Sequence, residues 1–100
     1  FPLMKMGGRG VVSVVSNIVP GEVHQMVQYA LNGNFSKAEE INNKLMPLFK
    51  ACFLETNPIP IKAALAMKGM IKETYRLPMC EMGAENRKKL KQVLESLNLI

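Results

Sequence analysis

The sequence contains no tryptophan, a single histidine and only two cysteines, which argues against several kinds of site. Cys52 and Cys80 do not have the spacing of a metal-binding pair, and two cysteines do not make a disulfide framework. We therefore expect both thiols to be reduced and buried, as is usual in cytosolic proteins. His24 lies outside the apolar stripe of its segment, and we predict a surface residue rather than a ligand or a base.

Long apolar runs are also missing. No stretch approaches the ~20 apolar residues needed to cross a bilayer, and no secretory signal is visible. We therefore predict a cytoplasmic protein with no membrane partner. With 100 residues, the chain has room for one domain at most.

Acidic residues are in deficit, because 8 Asp and Glu against 13 Lys and Arg give a formal net charge of +5. Much of the excess lies in Arg87, Lys88, Lys89 and Lys91, on the predicted outer face of the last helix. A basic balance can attract nucleic acid. No aromatic residue interleaves with these cations, however, so stacking on bases is not provided for. We interpret the run as a solvated helix face and expect no nucleic-acid partner.

Motifs that carry chemistry are scarce. There is no paired-carboxylate site, no metal-ligand cluster and no glycine-rich phosphate loop in the required context. Ser13 and Ser16 have no evident base nearby, and Lys62 is interpreted as a surface lysine whose stem covers apolar neighbours. The residues by themselves therefore predict no catalytic group and no metal or cofactor.

The most distinctive stretch of the chain is residues 10–19, GVVSVVSNIV, in which valine and isoleucine predominate. Glycines precede it and Pro20 follows it. A continuous run of β-branched residues bounded by turn residues is typical of a strand buried on both faces, as in a parallel sheet. A buried helix segment is the alternative, because periodicity alone does not separate the two in short apolar runs.

Such a strand needs hydrogen-bonding neighbours on both sides, and no second segment of this character occurs in the chain. Either the strand pairs with another chain, or the sequence is part of a larger protein. The apolar fraction of 48% and a first residue, Phe1, that is not an initiator methionine favour the second interpretation.

The rest of the chain is predicted to be helical. Residues 1–6 are interpreted as the end of a helix, Pro20 as the first residue of the next, and Ser36 with Glu39 as a capping box. Pro47 is expected to kink the helix that follows rather than to break it. The predicted helices after the strand are 20–32, 36–54, 60–70 and 83–97, with a loop at 71–82. A strand followed by a helix is one βα unit, and the later helices form an appendage.

Four segments carry a resemblance to a known family. Residues 10–20, GVVSVVSNIVP, resemble the eighth barrel strand and following loop of the dihydrodipicolinate synthase (4-hydroxy-tetrahydrodipicolinate synthase) family. Residues 57–65, NPIPIKAAL, resemble a second signature of that family, and residues 76–78, RLP, a third. Residues 45–49, LMPLF, are also similar. The segments occur in the family's order, and the resemblance extends over essentially the whole chain.

The resemblance implies an α/β fold that is the C-terminal part of a (β/α)8 TIM barrel. Residues 1–33 would be the last strand and helix of the barrel, and residues 34–100 a three-helix C-terminal extension. The isolated chain would be mostly α-helical. Family members condense pyruvate with L-aspartate 4-semialdehyde through a lysine Schiff base, in lysine and diaminopimelate biosynthesis. They need no cofactor, and a homotetramer arranged as a dimer of dimers is the expected assembly.

The resemblance assigns few site residues to this chain. The catalytic lysine and the proton-relay tyrosine of the family lie on earlier strands, and Lys62 and Tyr75 do not match their motifs. Val12 matches the residue whose main chain lines the pyruvate pocket, near the C-terminal end of a barrel strand. Asn57 is a second candidate, at the rim of the site. Without the upstream strands, the isolated chain is predicted to be inactive.

A reading of a different class remains open at this point. The chain could be a non-enzymatic helical interaction module that self-associates through exposed apolar faces. That hypothesis predicts strand pairing or swapping between copies and no small-molecule site.

Overall fold

The computed structural model describes all residues from Phe1 to Ile100 and contains five α-helices, one short 3-10 helix and no β-strand. The 3-10 helix is Val15–Asn17. The α-helices are α1 Pro2–Lys5, α2 Pro20–Leu31, α3 Phe35–Ala51, α4 Ile59–Met67 and α5 Ala84–Ser96.

The predicted strand at residues 10–19 is not formed. Residues 10–13 have no regular secondary structure, and the segment that follows coils into the 3-10 helix. The strand prediction was therefore wrong for this chain, and the predicted βα unit is not present in it. The physical reason is that a strand needs neighbours to hydrogen-bond with its backbone, and a single extended segment in this chain has none. Val15, Ile18 and Val19 are instead buried at the start of α2.

The helix α2 begins and ends as its sequence predicts. Pro20 occupies the first turn, where its missing N–H is no loss. The apolar stripe buries Val23, Met26 and Ala30. After Leu31 the chain turns through Gly33, whose positive φ of 79° suits a residue without a Cβ.

The helix α3 starts earlier than its predicted capping box. Asn34 precedes the helix, and its Oδ1 accepts a hydrogen bond from the Lys37 N–H at 3.3 Å. Ser36 lies inside the first turn, so the predicted box of Ser36 and Glu39 is wrong. The helix does continue through Pro47 as a single element, as predicted, but it ends at Ala51, not Leu54.

The helices α4 and α5 pack against each other. Nearly every side of α4 is apolar, and its first turns are buried, as expected for a helix with neighbours on several sides. Leu90 and Leu94 of α5 are completely buried. The segment 71–82 between the two helices forms no helix or strand, in agreement with the predicted loop.

The chain divides into two compact units, Phe1–Met46 and Pro47–Ile100. The division falls inside α3, whereas the sequence analysis placed a domain boundary between residues 33 and 34. That boundary concerns the fold of a longer protein, and it stays a prediction.

Candidate functional site

Val12, the main site residue predicted from the sequence, lies in a segment with free backbone groups. From Arg9 to Val12 no backbone N–H or carbonyl takes part in a backbone hydrogen bond. The Val12 side chain is fully exposed, and Val11 is 51% exposed. The first unit therefore presents an extended main chain that is open on its hydrogen-bonding edges.

A local turn follows this open segment. The Ser16 hydroxyl donates to the Ser13 carbonyl at 2.6 Å, and the Ser16 N–H donates to the Ser13 Oγ at 3.3 Å. The Asn17 side-chain amide donates to the Val14 carbonyl at 2.9 Å. Both serines thus satisfy nearby backbone groups, which gives them a role in shaping the chain just after Val12.

Asn57, the second predicted site residue, is exposed in the turn before α4 of the second unit. The turn is closed by a hydrogen bond from the Ile59 N–H to the Thr56 carbonyl at 2.9 Å. The Asn57 side chain is exposed to solvent. Val12 belongs to the other unit, so each residue is described separately.

Lys62 and Tyr75 are neighbours in the second unit. The Lys62 Nζ lies 5.8 Å from the centre of the Tyr75 ring and donates to the Thr74 carbonyl at 3.3 Å. The Tyr75 hydroxyl is buried without a hydrogen-bond partner. Burial, followed by the negative charge of Glu73, raises the pKa of Tyr75 to about 12, so the phenol keeps its proton at neutral pH.

An ion pair missed by the sequence analysis lies beside this tyrosine. The Arg87 guanidinium donates two hydrogen bonds to the Glu73 carboxylate, both at 2.6 Å. These bonds and the positive charge of Arg87 lower the pKa of Glu73, with burial acting in the opposite direction. The two parallel N–H···O bonds have the fork geometry that strengthens arginine–carboxylate pairs.

A second missed contact fixes the start of α5. The Glu55 carboxylate accepts hydrogen bonds from the Gly83 N–H at 2.9 Å and from the Asn86 side chain at 3.0 Å. Gly83 has no side chain of its own to cap the helix. A carboxylate at this position also interacts favourably with the positive end of the helix dipole. Neither contact has a local sequence signal, because the partners are far apart in the chain.

The positions of the histidine, cysteine and acidic side chains bear on metal binding and on thiol reactivity. No group of three or more His, Cys, Asp or Glu side chains is arranged to bind a metal ion. His24 is exposed on α2, as predicted. Cys52 is buried as expected, but Cys80 is exposed, so the prediction of two buried thiols was wrong for Cys80.

None of the five helices is both long and apolar enough to span a membrane.

Comparison with known proteins identifies relatives along the whole chain. Residues 1–97 match the dihydrodipicolinate synthetase family. A 4-hydroxy-tetrahydrodipicolinate synthase of Methanocaldococcus jannaschii is 57% identical over 100 residues, which is 100% of this chain and 35% of the relative. The chain thus spans about a third of the length of the curated relatives it matches.

Solved structures agree with the sequence match. The dihydrodipicolinate synthase of Aquifex aeolicus superposes with a TM-score of 0.96 at 48% identity, over 98% of this chain and 33% of that one. A chloride-inhibited dihydrodipicolinate synthase of Acinetobacter baumannii, complexed with pyruvate, gives a TM-score of 0.95 at 33% identity. That match covers 99% of this chain and 34% of the other.

Proposed function

Because the chain belongs to the dihydrodipicolinate synthetase family, we propose that it is the C-terminal third of a 4-hydroxy-tetrahydrodipicolinate synthase. The complete enzyme condenses pyruvate with L-aspartate 4-semialdehyde in lysine and diaminopimelate biosynthesis in the cytoplasm. The observation that carries the proposal is the 57% identity to a relative of that name along the entire chain. The pyruvate complex of the Acinetobacter baumannii relative supports pyruvate as a substrate.

In this proposal residues 1–33 supply the last strand and helix of the (β/α)8 barrel, and residues 34–100 the helical extension. The open main chain of Arg9–Val12 supports the first part, since this segment has the free donors and acceptors that a central strand uses. In the complete protein those groups would pair with neighbouring strands supplied by the rest of the chain. The complete enzyme is a homotetramer, a dimer of dimers.

The proposed chemistry is carried by residues outside this chain. A lysine amine condenses with the ketone of pyruvate, and the resulting iminium draws electrons from the adjacent carbon. Forming the iminium releases water, and loss of a proton from its methyl group gives the enamine. The enamine attacks the aldehyde of L-aspartate 4-semialdehyde, whose oxygen takes up a proton. The amine of the adduct then attacks the iminium carbon, which closes the ring and releases the lysine, so these steps use no cofactor.

Val12 contributes its main chain to the pyruvate pocket. Asn57 is a separate candidate for substrate binding. In this proposal residues 1–100 supply no catalytic residue.

Borohydride trapping tests this assignment directly. The complete protein incubated with pyruvate and sodium borohydride is expected to gain one reduced pyruvate adduct per subunit by intact mass. Peptide mapping should locate the adduct upstream of Phe1. The chain of residues 1–100, treated in the same way, should gain no adduct and show no turnover. An adduct on Lys62 or on any other lysine of this chain would contradict the proposal.

A pair of substitutions separates a main-chain role of Val12 from a side-chain role. In the complete protein Val12→Ala keeps the backbone N–H and should change the KM for pyruvate by less than about threefold. Val12→Pro removes the N–H and should raise that KM at least about tenfold or abolish turnover. Equal losses in both variants, with circular dichroism unchanged, would show that the pocket uses the side chain instead.

The exposed edge of Arg9–Val12 also favours the second candidate, a helical module that self-associates. Size-exclusion chromatography with light scattering on residues 1–100 distinguishes the two functions when combined with a pyruvate titration of the complete protein. A defined oligomer of the short chain, together with no pyruvate binding by the complete protein, would favour the module.

A further inference from the structure

The basic run near the end of the chain has no part in the proposed activity. It borders a cavity of about 490 Å³ within the second unit. Four of the lining positions recur at spacings of three and four residues, and therefore lie on one face of α5. The lining residues are Met67, Ala84, Arg87, Lys88, Lys91 and Ile100. Lys88, Lys89 and Lys91 are exposed, as predicted for a solvated helix face, and Lys88 and Lys91 also line this cavity.

The charges around the cavity are not balanced. Arg87 is committed to Glu73 through two hydrogen bonds, and this pair contributes no net charge. Lys88 and Lys91 are exposed and take part in no salt bridge. The lining therefore includes two lysines whose positive charges take part in no salt bridge within the chain.

The remaining lining is apolar. Met67 is the last residue of α4, Ala84 is the first residue of α5, and Ile100 lies in the segment after α5. An unbranched thioether side chain such as that of Met67 adapts to ligands of varied shape. The volume lies within the range of pockets that take small organic molecules. The site therefore combines an apolar wall with a cationic edge.

We propose that this cavity binds a small amphipathic carboxylate. Its carboxylate lies between the ammonium groups of Lys88 and Lys91, and its apolar chain lies against Met67, Ala84 and Ile100. An anion without an apolar chain would leave the apolar surface of the cavity exposed to water. An uncharged ligand would leave the charges of the two lysines without a partner. Both parts of the ligand are needed for this charge and shape, and the site is independent of the proposed enzymatic activity.

Octanoate is a suitable probe, with acetate lacking the chain and 1-octanol lacking the charge. The complete protein labelled with 13C at methionine methyl groups is titrated with each compound, and the Met67 resonance is assigned with the Met67→Leu variant. We expect a saturable shift of the Met67 methyl signal with octanoate. Binding of acetate and of octanol should each be weaker by about tenfold or more.

Two variants test the role of the lysines. Replacing both cavity lysines, Lys88→Gln with Lys91→Gln, should weaken octanoate binding by about tenfold. Lys89→Gln removes one positive charge from the same helix, half of the change made by the double variant, but Lys89 does not line the cavity, so binding should change by less than about twofold. Methyl signals distant from the cavity report whether each variant keeps the fold. No saturable Met67 shift, or equal weakening by Lys89→Gln, would overturn the proposal.

Discussion

Water reaches only one of the two cysteine thiols. Cys52 is buried, and burial raises the pKa of its thiol to about 11, whereas Cys80 is exposed in the segment between α4 and α5. The thiolate is the form that reacts with electrophiles. Cys52 is therefore protected both by its protonation and by its neighbours, whereas Cys80 is open to water.

Alkylation should distinguish the two residues. We expect iodoacetamide at about pH 8 to label Cys80 and to leave Cys52 unlabelled while the chain is folded. In guanidinium chloride both should react, and Cys80→Ser should abolish labelling of the folded chain. Peptide mass mapping after a short exposure measures both sites. Labelling of Cys52 at the rate of Cys80 would contradict the burial of this thiol.

The ion pair of Glu73 and Arg87 should make stability depend on pH. In the folded chain the pKa of Glu73 is below its ordinary value of 4.5, because Arg87 stabilises the carboxylate. The ionised pair therefore stabilises the fold above about pH 4.5, and this contribution is lost as the pH falls toward the lowered pKa. The Arg87 side chain is 39% exposed, so solvent screens part of the interaction.

Glu73→Gln tests this pair. At pH 7 we expect the free energy of unfolding to fall by about 1–2 kcal/mol, because Arg87 loses a charged partner. The difference from the parent chain should shrink as the pH falls below 4.5 toward the lowered pKa of Glu73, because the parent carboxylate then gains a proton. Urea denaturation at several pH values measures it, with Glu95→Gln as an exposed control outside this pair. A constant difference at all pH values would mean that the charge of Glu73 is not involved.

At the scale of the elements, the two longest helices, α3 and α5, are capped at their N-termini by residues that the sequence patterns did not identify. Asn34 satisfies a free N–H at the start of α3, although the spacing of Ser36 and Glu39 favoured a later start. For α5 the acceptor is Glu55, which comes from before α4. The local pattern of Ser36 and Glu39 therefore predicted the wrong cap for α3. No local pattern predicted the cap of α5, because Glu55 is distant in the chain.

Two alanine substitutions at the start of α3 decide which residue caps it. Asn34→Ala removes the side-chain acceptor for the Lys37 N–H and should cost about 1 kcal/mol of stability. Ser36→Ala lies within the first turn and should change stability by less than about 0.5 kcal/mol. Thermal unfolding followed by circular dichroism measures both. The opposite order of effects would restore the capping box of Ser36 and Glu39.

Helices with local signals could be predicted, and elements that depend on distant partners could not. The helix α2 follows from Pro20 and its apolar stripe, and the loop at 71–82 follows from the lack of periodicity. The strand at residues 10–19 failed because a strand is stabilised by its neighbours rather than by its own side chains. For the candidate site, the placements of Val12 and Asn57 came from the family resemblance, and their functional roles stay predictions.

At the scale of the whole molecule, the first unit exposes large apolar side chains of the kind that a neighbouring protein surface usually covers. Leu3 is 76% exposed, Met6 is 83% exposed, and Val12 is fully exposed beside an unpaired main chain. Apolar surface and unpaired backbone groups in one small unit favour a neighbour that pairs with the main chain and packs on the side chains together. The proposed barrel provides such a neighbour on each side of this segment.

Amide hydrogen exchange should detect that neighbour. In residues 1–100 alone, the amides from Gly10 to Val12 should exchange at the rate of unstructured peptides, because nothing accepts a hydrogen bond from them. In the complete protein the same amides should exchange at least about a thousandfold more slowly, since a central strand opens only with a large part of the fold. The amides of α5, which are hydrogen-bonded in both, provide the internal reference. Fast exchange at Val12 in the complete, active protein would mean that this segment is not a strand of the barrel, and the placement of residues 1–33 would have to be abandoned.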